Sequence, residues 1–542
     1  MFRPYSQEQM FLLPPSLSDF IHEDHPAHLI NDLVERLDLS ALEARYGTLG
    51  QPAYAVRLML KVILYGFTVG LFSARKLSRA CRENLAFQYL AGLEKPAFKT
   101  VIEFRKRHRD DMKGVFLQTV KLAREMGLVL LARVALDGSK ITANTSKHKA
   151  MSYGRMQEEE KKLKAEIEAL LKQAEETDAK EDQEFGADQD GYSLSGELAR
   201  RESRLQKIEE ARKALEAREA KDHPGEPIDS KKQISFADKD ARCFAKGGDG
   251  ARYIHNVQIA VDMDSQIIVE NHVEDSVSDA GAAEPALQNM EESVGIPEKL
   301  VGDGGYGNMQ TIESCRSRGV EPVCATRREQ TAASSKQVPG PGTSEADKPV
   351  GPEVLSSFSY DGTLNRFTCP HGLVFTFDHW NENGTKATYR SLAPGECACG
   401  SHRRRDGQRT LGVRKEHLGQ RKLQEILAHP ENKRLYSRRK CTVEPVLGQI
   451  KSGIGFDRFL YRGHPQVRSE WNVMCAAANL KKMAGVMMRK WKERAPLKGP
   501  QGAFPLPIYG NVLTDWIAHG AHGFRSWGAS INRQLAPTVA YV

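Results

Sequence analysis

The sequence has no uninterrupted apolar run approaching the roughly eighteen residues that a membrane helix requires. Its opening stretch, MFRPYSQEQMFLLPPSLSDF, lacks both a long apolar segment and a small-residue cleavage site, so the reading is a soluble chain in the cytoplasm, not in a membrane. Nine cysteines are too few and too oddly counted for a disulfide scaffold, and Cys81, Cys315, Cys324 and Cys475 lie inside apolar segments, as reduced buried thiols do. A strong charge imbalance is missing too: 78 Lys and Arg face 70 Asp and Glu, for a net charge of +8. That favours a polyanionic partner without demanding one. At 542 residues the chain exceeds what one core usually supports, and two or three units are expected.

Helical periodicity comes first. AHLINDLVERL and YAVRLMLKVILYGFTVGLF carry apolar residues at helical spacing, and SARKLSRACRENLAFQYLAGL opens on Ser73, a good N-cap. Pro96 then breaks the pattern and Thr100 can cap a basic helix whose cationic face holds Lys99, Arg105, Lys106, Arg107 and Arg109. This suits a helix-turn-helix-like DNA-binding unit; the plain alternative is a solvated, charged helix end.

From residue 129 the pattern turns to strand, LVLLARVALDGSKITAN, on both sides of Asp137-Gly138. Residues 156–221 are rich in Glu, Lys, Ala, Arg and Leu. Stripes at Leu163, Ile167, Leu170 and Ala174, and at Leu198, Leu205, Ile208 and Leu215, predict an antiparallel helical hairpin. YIHNVQIAVDMDSQIIVENHVED predicts a β-hairpin turning at 262–265. A helix, the strand KLVGD, another helix and the strand EPVCAT follow, an α/β series with a mixed sheet. Residues 327–430 interrupt it with a Ser/Pro/Gly-rich stretch, hairpin chemistry at Asp361-Gly362 and Asn383-Gly384, and the basic run SHRRRDGQRTLGVRKEH. Helix returns from 431, and no function is readable in the tail beyond Pro496.

Asp137 and Asp303 share a context, each closing a short apolar strand and each followed by Gly. Side chains converge where strands of an open α/β sheet run out into loops. Mg²⁺ takes hard oxygen ligands from one or two carboxylates plus phosphate oxygens, and two ions about 3.5 to 4 Å apart can serve in-line displacement at phosphorus. A third acid is then expected, and YSRRKCTVEPVLGQIK supplies Glu444, next to Pro445 and so at or near a helix start. Lys451 falls two turns on, roughly on the same face, where a cation could grip a backbone phosphate. Taken singly, an Asp before Gly is a turn former and a Glu among cations a surface ion pair. Asp279 and Asp262 are lesser candidates, read as a helix cap and a hairpin turn.

This order, Asp137 on a first strand, Asp303 after a later one and Glu444 on a helix, resembles the ribonuclease H-like core of the DDE transposases of bacterial insertion sequences. Tyr436, Arg439, Glu444 and Lys451 look like the tyrosine-arginine-glutamate-lysine signature of the branch that cuts by hairpin chemistry. That signature usually has three residues between Arg and Glu; Arg439 is one residue further away, which leaves Arg439 and Lys440 as alternatives. FADKDARCF with YIHNVQIAVD, and PAFKTVIEFRKRH, are similar to the family's second-strand region and its N-terminal DNA-binding domain; the resemblance spans roughly residues 10–490.

The resemblance implies an α/β fold: a ribonuclease H-like mixed sheet flanked by helices, with an all-α N-terminal domain, a helical-hairpin insertion and a β-rich insertion. The expected division is 1–127 for DNA binding, 128–155, 223–326 and 431–495 for the catalytic core, 156–222 for the helical hairpin, 327–430 for the β-rich insertion and 496–542 for the tail. It implies a bacterial, nucleoid-associated transposase that cleaves element ends and joins their 3′-hydroxyls to target DNA. Asp137, Asp303 and Glu444 would be both catalytic residues and ligands of two Mg²⁺ or Mn²⁺ ions. Lys140, Lys99, Arg105, Lys106, Arg107, Tyr436, Arg439 or Lys440, and Lys451 would contact double-stranded DNA, and a homodimer would bring two ends together.

In the hairpin-forming relatives a β-rich insertion supplies an aromatic that stacks on a flipped base, and Trp380 is the candidate here, against the plain reading that it packs its own hairpin. Cys369, His371, Cys397, Cys399 and His402 raise the question of a structural zinc, although Cys-x-Cys and Cys-x-His are tighter than the usual spacing. The rival readings are a DNA-binding regulator on an inactive nuclease-like core, and a metal-dependent nuclease without strand transfer. Intact acids disfavour the first, since a binding protein has no need of carboxylates where it meets phosphate.

Overall fold

The computed structural model describes residues 16–47, 52–146, 149–185, 196–245, 250–326, 355, 357–392, 399, 401–403 and 408–494. Helices come first: α1 (Pro26–Glu35), α2 (Ser40–Glu43), α3 (Val56–Thr68), α4 (Ala74–Glu83), α5 (Leu85–Leu90), α6 (Phe98–Arg107) and α7 (Met112–Glu125). They form because apolar residues recur every three or four positions; α3, for example, buries Met59, Leu60, Ile63, Leu64 and Phe67. Asn84 caps α5 by accepting the N–H groups of Ala86 and Phe87 at 3.0 and 3.3 Å. Two expected caps differ. Ser73 precedes α4 without a side-chain capping bond. Thr100 lies inside α6, because burial of Val101 and Phe104 draws the helix onto the core from Phe98, and the Val101 N–H bonds to Ala97 O at 3.2 Å.

The main sheet holds β1 (Arg133–Thr142), β4 (Arg242–Phe244), β5 (Arg252–Asp262), β6 (Ile268–Glu274), β7 (Lys299–Gly302) and β8 (Glu321–Cys324). Its order is β4-β5-β1-β7-β8, with β6 also paired to β5. β5 is antiparallel to β1 and β6, while β7 and β8 run parallel to β1. The apolar runs predicted as strands are the buried ones: Val134, Ala135 and Leu136, like Leu300 and Val301, have no exposed surface. The expected hairpin turn is tied by Asp262, which accepts the Ser265 N–H at 2.9 Å and the Leu131 N–H at 3.2 Å.

α10 (Ala283–Ser293) and α11 (Met309–Arg316) link β6 to β7 and β7 to β8. The long helix α15 (His464–Arg494) buries Trp471, Met474, Cys475, Leu480 and Met483. Its Asn479 amide is bidentate on the edge strand, accepting from Ile268 N and donating to Ile268 O, both at 2.9 Å. One continuous core joins the N-terminal helices, the sheet and α15.

Two insertions have cores of their own. α8 (Tyr153–Phe185) and α9 (Gly196–Asp222) rest on the small β2 (Ala150–Ser152) and β3 (Gln233–Ser235) pair through Met156, Leu163, Ile208, Leu215 and Ile234. β9 (Ser359–Asp361), β10 (Arg366–Thr368), β11 (Val374–Trp380), β12 (Lys386–Ser391), β13 (His402–Arg403) and β14 (Arg409–Arg414) form a second sheet around Phe367, Phe375, Tyr389 and Leu411. Helix resumes sooner than the sequence indicates: α12 (Lys415–Ala428) follows β14 directly, then α13 (Pro430–Arg438) and α14 (Val443–Gly448). The basic run hides this start because its cationic residues continue from β14 into the helix without a break signal.

Candidate active site

Parallel register brings the two aspartates together. β1 pairs with β7 at Arg133 with Lys299, Val134 with Leu300 and Ala135 with Val301. Two residues further along each strand stand Asp137 and Asp303. The expectation that Asp137 closes its strand needs correction. β1 runs unbroken through it to Thr142, because the long β5 pairs with β1 from Val134 to Thr142. What ends near Asp137 is the parallel partner β7, and this opens one flank of β1 at the carboxylate. Asp303 does leave its strand, and its Oδ1 accepts the Gly305 N–H at 2.7 Å.

Glu444 lies in the first turn of α14, as its neighbour Pro445 predicts. The residue that ties it to the sheet is Arg439. This arginine is buried, donating from Nη1 to Asp137 Oδ2 at 3.1 Å and from Nη2 to Glu444 Oε1 at 3.0 Å. Lys440, its alternative in the signature, is exposed. After Gly448 the helix passes into a π turn over Gln449–Gly453, so half-buried Lys451 departs from the α-helical spacing that placed it on the face of Glu444.

The Asp137 carboxyl is pushed up to about 6, first by burial, against the pull of Arg439, with the charges of Asp303 and Glu444 adding to the rise. Burial thus disfavours the charged carboxylate even with the arginine beside it. The donor set consists of hard oxygens and suits Mg²⁺ or Mn²⁺ in kind, and the Arg439 guanidinium stands as a cation between two of its members. Among the described residues, no three His, Cys, Asp or Glu side chains stand close enough to share one ion.

The remaining candidates separate into inward and outward groups. Lys99, Lys106 and Arg107 are exposed on α6, the last with its guanidinium 4.9 Å from the centroid of the Tyr46 ring. Arg105 turns inward, donating to Phe72 O at 2.9 Å and lying 5.1 Å over the Phe67 ring. Lys140 also has an internal partner, Asp279 Oδ1 at 2.8 Å. Asp279 itself is not the expected cap of α10, whose N-cap is Ala282. Tyr436 packs its ring against the main core. Trp380 ends β11 at 37 % exposure, 6.1 Å from Phe377, so it is only partly used in packing its own hairpin. Cys369 and Cys399 are both buried in the core of the second sheet and His371 is exposed; Cys397 and the His402 side chain lie outside the described residues.

Sequence reasoning missed the bridging place of Arg439 and the polar network of Asn256, Gln258 and Tyr306 around Asp279. Their signal was present: two amides inside the apolar strand YIHNVQIAVD, and an aromatic in GDGGYG.

Residues 15–107 match the family model described as a transposase domain (DUF772), and residues 368–484 match that of a transposase DDE domain. Glu444 and Arg439 lie within the second match, whereas Asp137 and Asp303 fall between the two. No curated protein matches the chain. A solved structure described as the piggyBac transposase synaptic complex with hairpin DNA aligns over 95 % of this chain and 86 % of that one, at 9 % identity and a TM-score of 0.29, a likeness too low to bear on the fold. Among the described residues no helix is long and apolar enough to cross a membrane.

Proposed function

The chain belongs to the DDE transposases, and on that premise we propose that it cuts the ends of a bacterial insertion sequence and joins the freed 3′-hydroxyls to target DNA. What supports this reading is the nearness of Asp137 to Asp303 and, through Arg439, to Glu444. The first two are brought level by the β1/β7 register, and Glu444 is joined to Asp137 through Arg439. The strand order, with β1 antiparallel to β5 and β5 antiparallel to β6 on one side, and the parallel β7 and β8 on the other, supports a ribonuclease H-like core.

Asp137, Asp303 and Glu444 would hold two Mg²⁺ or Mn²⁺ ions. Bound there, the ions supply Lewis acidity to the scissile phosphate and lower the pKa of the attacking water or 3′-hydroxyl. The protein's own part is orientation. Arg439 fixes the Asp137 carboxylate and, with a fork of five N–H donors, has capacity left for a phosphate oxygen. Of the two signature alternatives, buried Arg439 fits this role and exposed Lys440 suits a phosphate further out. The exposed Lys99, Lys106 and Arg107 would follow the backbone of double-stranded DNA. Two ends must be cut and joined together, so two copies are expected on DNA.

The test uses the full chain and a duplex carrying the DNA that flanks its coding region, with Mg²⁺ or Mn²⁺ and target plasmid. Nicked and then joined products are expected. Asp303→Asn should bind the duplex as the wild type does and leave it uncut. A variant cutting at the normal rate overturns the reading, and nicking without joining selects a nuclease instead.

A further inference from the structure

On the face of the sheet opposite Arg439, one carboxylate oxygen gathers three donors. Asp279 Oδ1 accepts from Lys140 Nζ at 2.8 Å, from Asn256 Nδ2 at 3.0 Å and from Gln258 Nε2 at 2.7 Å. Gln258 is fully buried, and its Oε1 accepts the Tyr306 hydroxyl at 2.5 Å. The sheet explains the convergence. Lys140 is the register partner of Asn256, and Gly138 that of Gln258, so these positions share one face of β1 and β5. Asp137, one residue from Gly138, faces the other way.

Two glycines show how closely Asp279 is seated. A Cβ on Gly138 would lie 2.8 Å from Asp279 Oδ1 and 2.4 Å from Gln258 Nε2. One on Gly305 would lie 2.8 Å from Asp303 Oδ1 and 3.6 Å from Asp279 Cβ. Asp279 is therefore wedged between the residue that follows Asp137 and the loop whose backbone N–H holds Asp303. Tyr306, three residues past Asp303, joins the same network through Gln258.

We propose that Asp279, held by Lys140, Asn256 and Gln258, is a positioning residue that sets the spacing of Asp137 and Asp303 for metal binding. Lys140 thereby serves the site from behind the strand, as the cation that holds the Asp279 carboxylate in place, and not as a free phosphate contact. This inference rests on the transposase reading. Partners of this kind behind metal ligands typically change affinity about 10- to 100-fold when removed.

Mn²⁺ uptake by the full chain, followed through the EPR signal of the free ion, reads the effect without activity. Nicking kinetics and thermal melting are measured alongside. Asp279→Ala is expected to weaken Mn²⁺ uptake about tenfold or more and to lower kcat while the KM for DNA is held. Asp279→Glu should recover part of the affinity, and Lys140→Met should weaken uptake in the same direction as Asp279→Ala. In Asp279→Ala/Lys140→Met the two losses should not add, because both remove one interaction. If Asp279→Ala is folded and takes up Mn²⁺ within twofold of the wild type, the proposal is overturned and the functional reading stands. If the wild type takes up no Mn²⁺, both are overturned. A variant that melts early is replaced by Asp279→Glu and Lys140→Met, and normal uptake by both overturns the proposal equally.

Discussion

Arg439 and Asp137, 302 residues apart in sequence, meet in a hydrogen-bonded ion pair of 3.1 Å in which the arginine is 9 % and the aspartate 16 % exposed at the side chain. The second arm of the same guanidinium reaches Glu444, whose side chain is 48 % exposed. One planar cation therefore joins a strand residue to a helix residue, and the geometry needs the fork: a lysine ammonium is a point charge and cannot serve both carboxylates in this way.

Arg439→Gln should accordingly lower stability in chelator by about 2 to 3 kcal/mol, somewhat under the cost of breaking a fully buried pair because Glu444 is half exposed. Saturating Mn²⁺ should restore most of that loss, since a cation again lies among the acids. Arg439→Lys should fold better and still nick roughly a hundredfold more slowly, as sites do when an oriented donor is lost. Urea unfolding with EDTA and with Mn²⁺ separates the terms. An equal loss under both conditions would mean that Arg439 is only a structural tie.

Gly138→Ala should cost about 1 to 3 kcal/mol, the range for forcing atoms into a filled space, because the new Cβ would come 2.4 Å from Gln258 Nε2 and 2.8 Å from Asp279 Oδ1. Gly114, exposed in α7 with nothing within 4 Å of its ideal Cβ, is the matched control. Gly114→Ala should stabilise by about 0.5 to 1 kcal/mol through helix propensity. A Gly138→Ala variant that melts at or above the wild-type temperature, as Gly114→Ala should, would contradict the packing described around Gly138.

The residues themselves show why some of this was readable and some was not. Strand runs, the helical hairpin and the helix start at Glu444 depend on local patterns, and the chain order of the acids carried the family likeness. Arg439 gave no local sign of burial: it sits in SRRK, and its partner comes from β1. Arg105 looked like one more cation on a basic helix because Phe67, Phe72 and Glu470, which surround it, are contributed by distant segments. Asp279 resembled a helix cap for the same reason, its three donors coming from β1 and β5. The strand-end position expected for Asp137 failed on length alone, since nothing before β5 tells how far β1 will be paired.

Glu470 gives the pH dependence. It is 3 % exposed, and burial pushes its carboxyl from 4.5 up to about 7, against Arg105 and the N–H groups of Leu460 and Tyr461, which favour the charged form. Its folded pKa lies above the unfolded value. The contribution is therefore present in full below about pH 4.5 and is lost as pH rises through 7. Glu470→Gln keeps an oxygen for the two N–H groups and cannot ionise. Relative to the wild type it should gain up to about 3 kcal/mol between pH 4.5 and 8. Parallel unfolding curves for the two proteins across that window would contradict the buried, proton-binding state of Glu470.

Neighbours on α6 divide between an inward and an outward face. Arg105 donates to Phe72 O and covers the Phe67 ring, and its charge faces Glu470, so Arg105→Ala removes a cation–π contact, a hydrogen bond and a counter-charge together. About 2 to 3 kcal/mol of stability should go with it, within the range for breaking a buried network. Lys106 is exposed and makes none of these contacts. Lys106→Ala should leave stability within about 0.5 kcal/mol. If Lys106 neutralises a phosphate, the same change lowers the slope of log K against log salt by about 1 for a duplex of any sequence, while Arg105→Ala at a temperature where it is folded leaves that slope alone. Fluorescence anisotropy over a salt series reads the slope and urea titration reads the stability. The reverse pattern, with Arg105 carrying the salt dependence and Lys106 the stability, would place the wrong face of α6 against DNA.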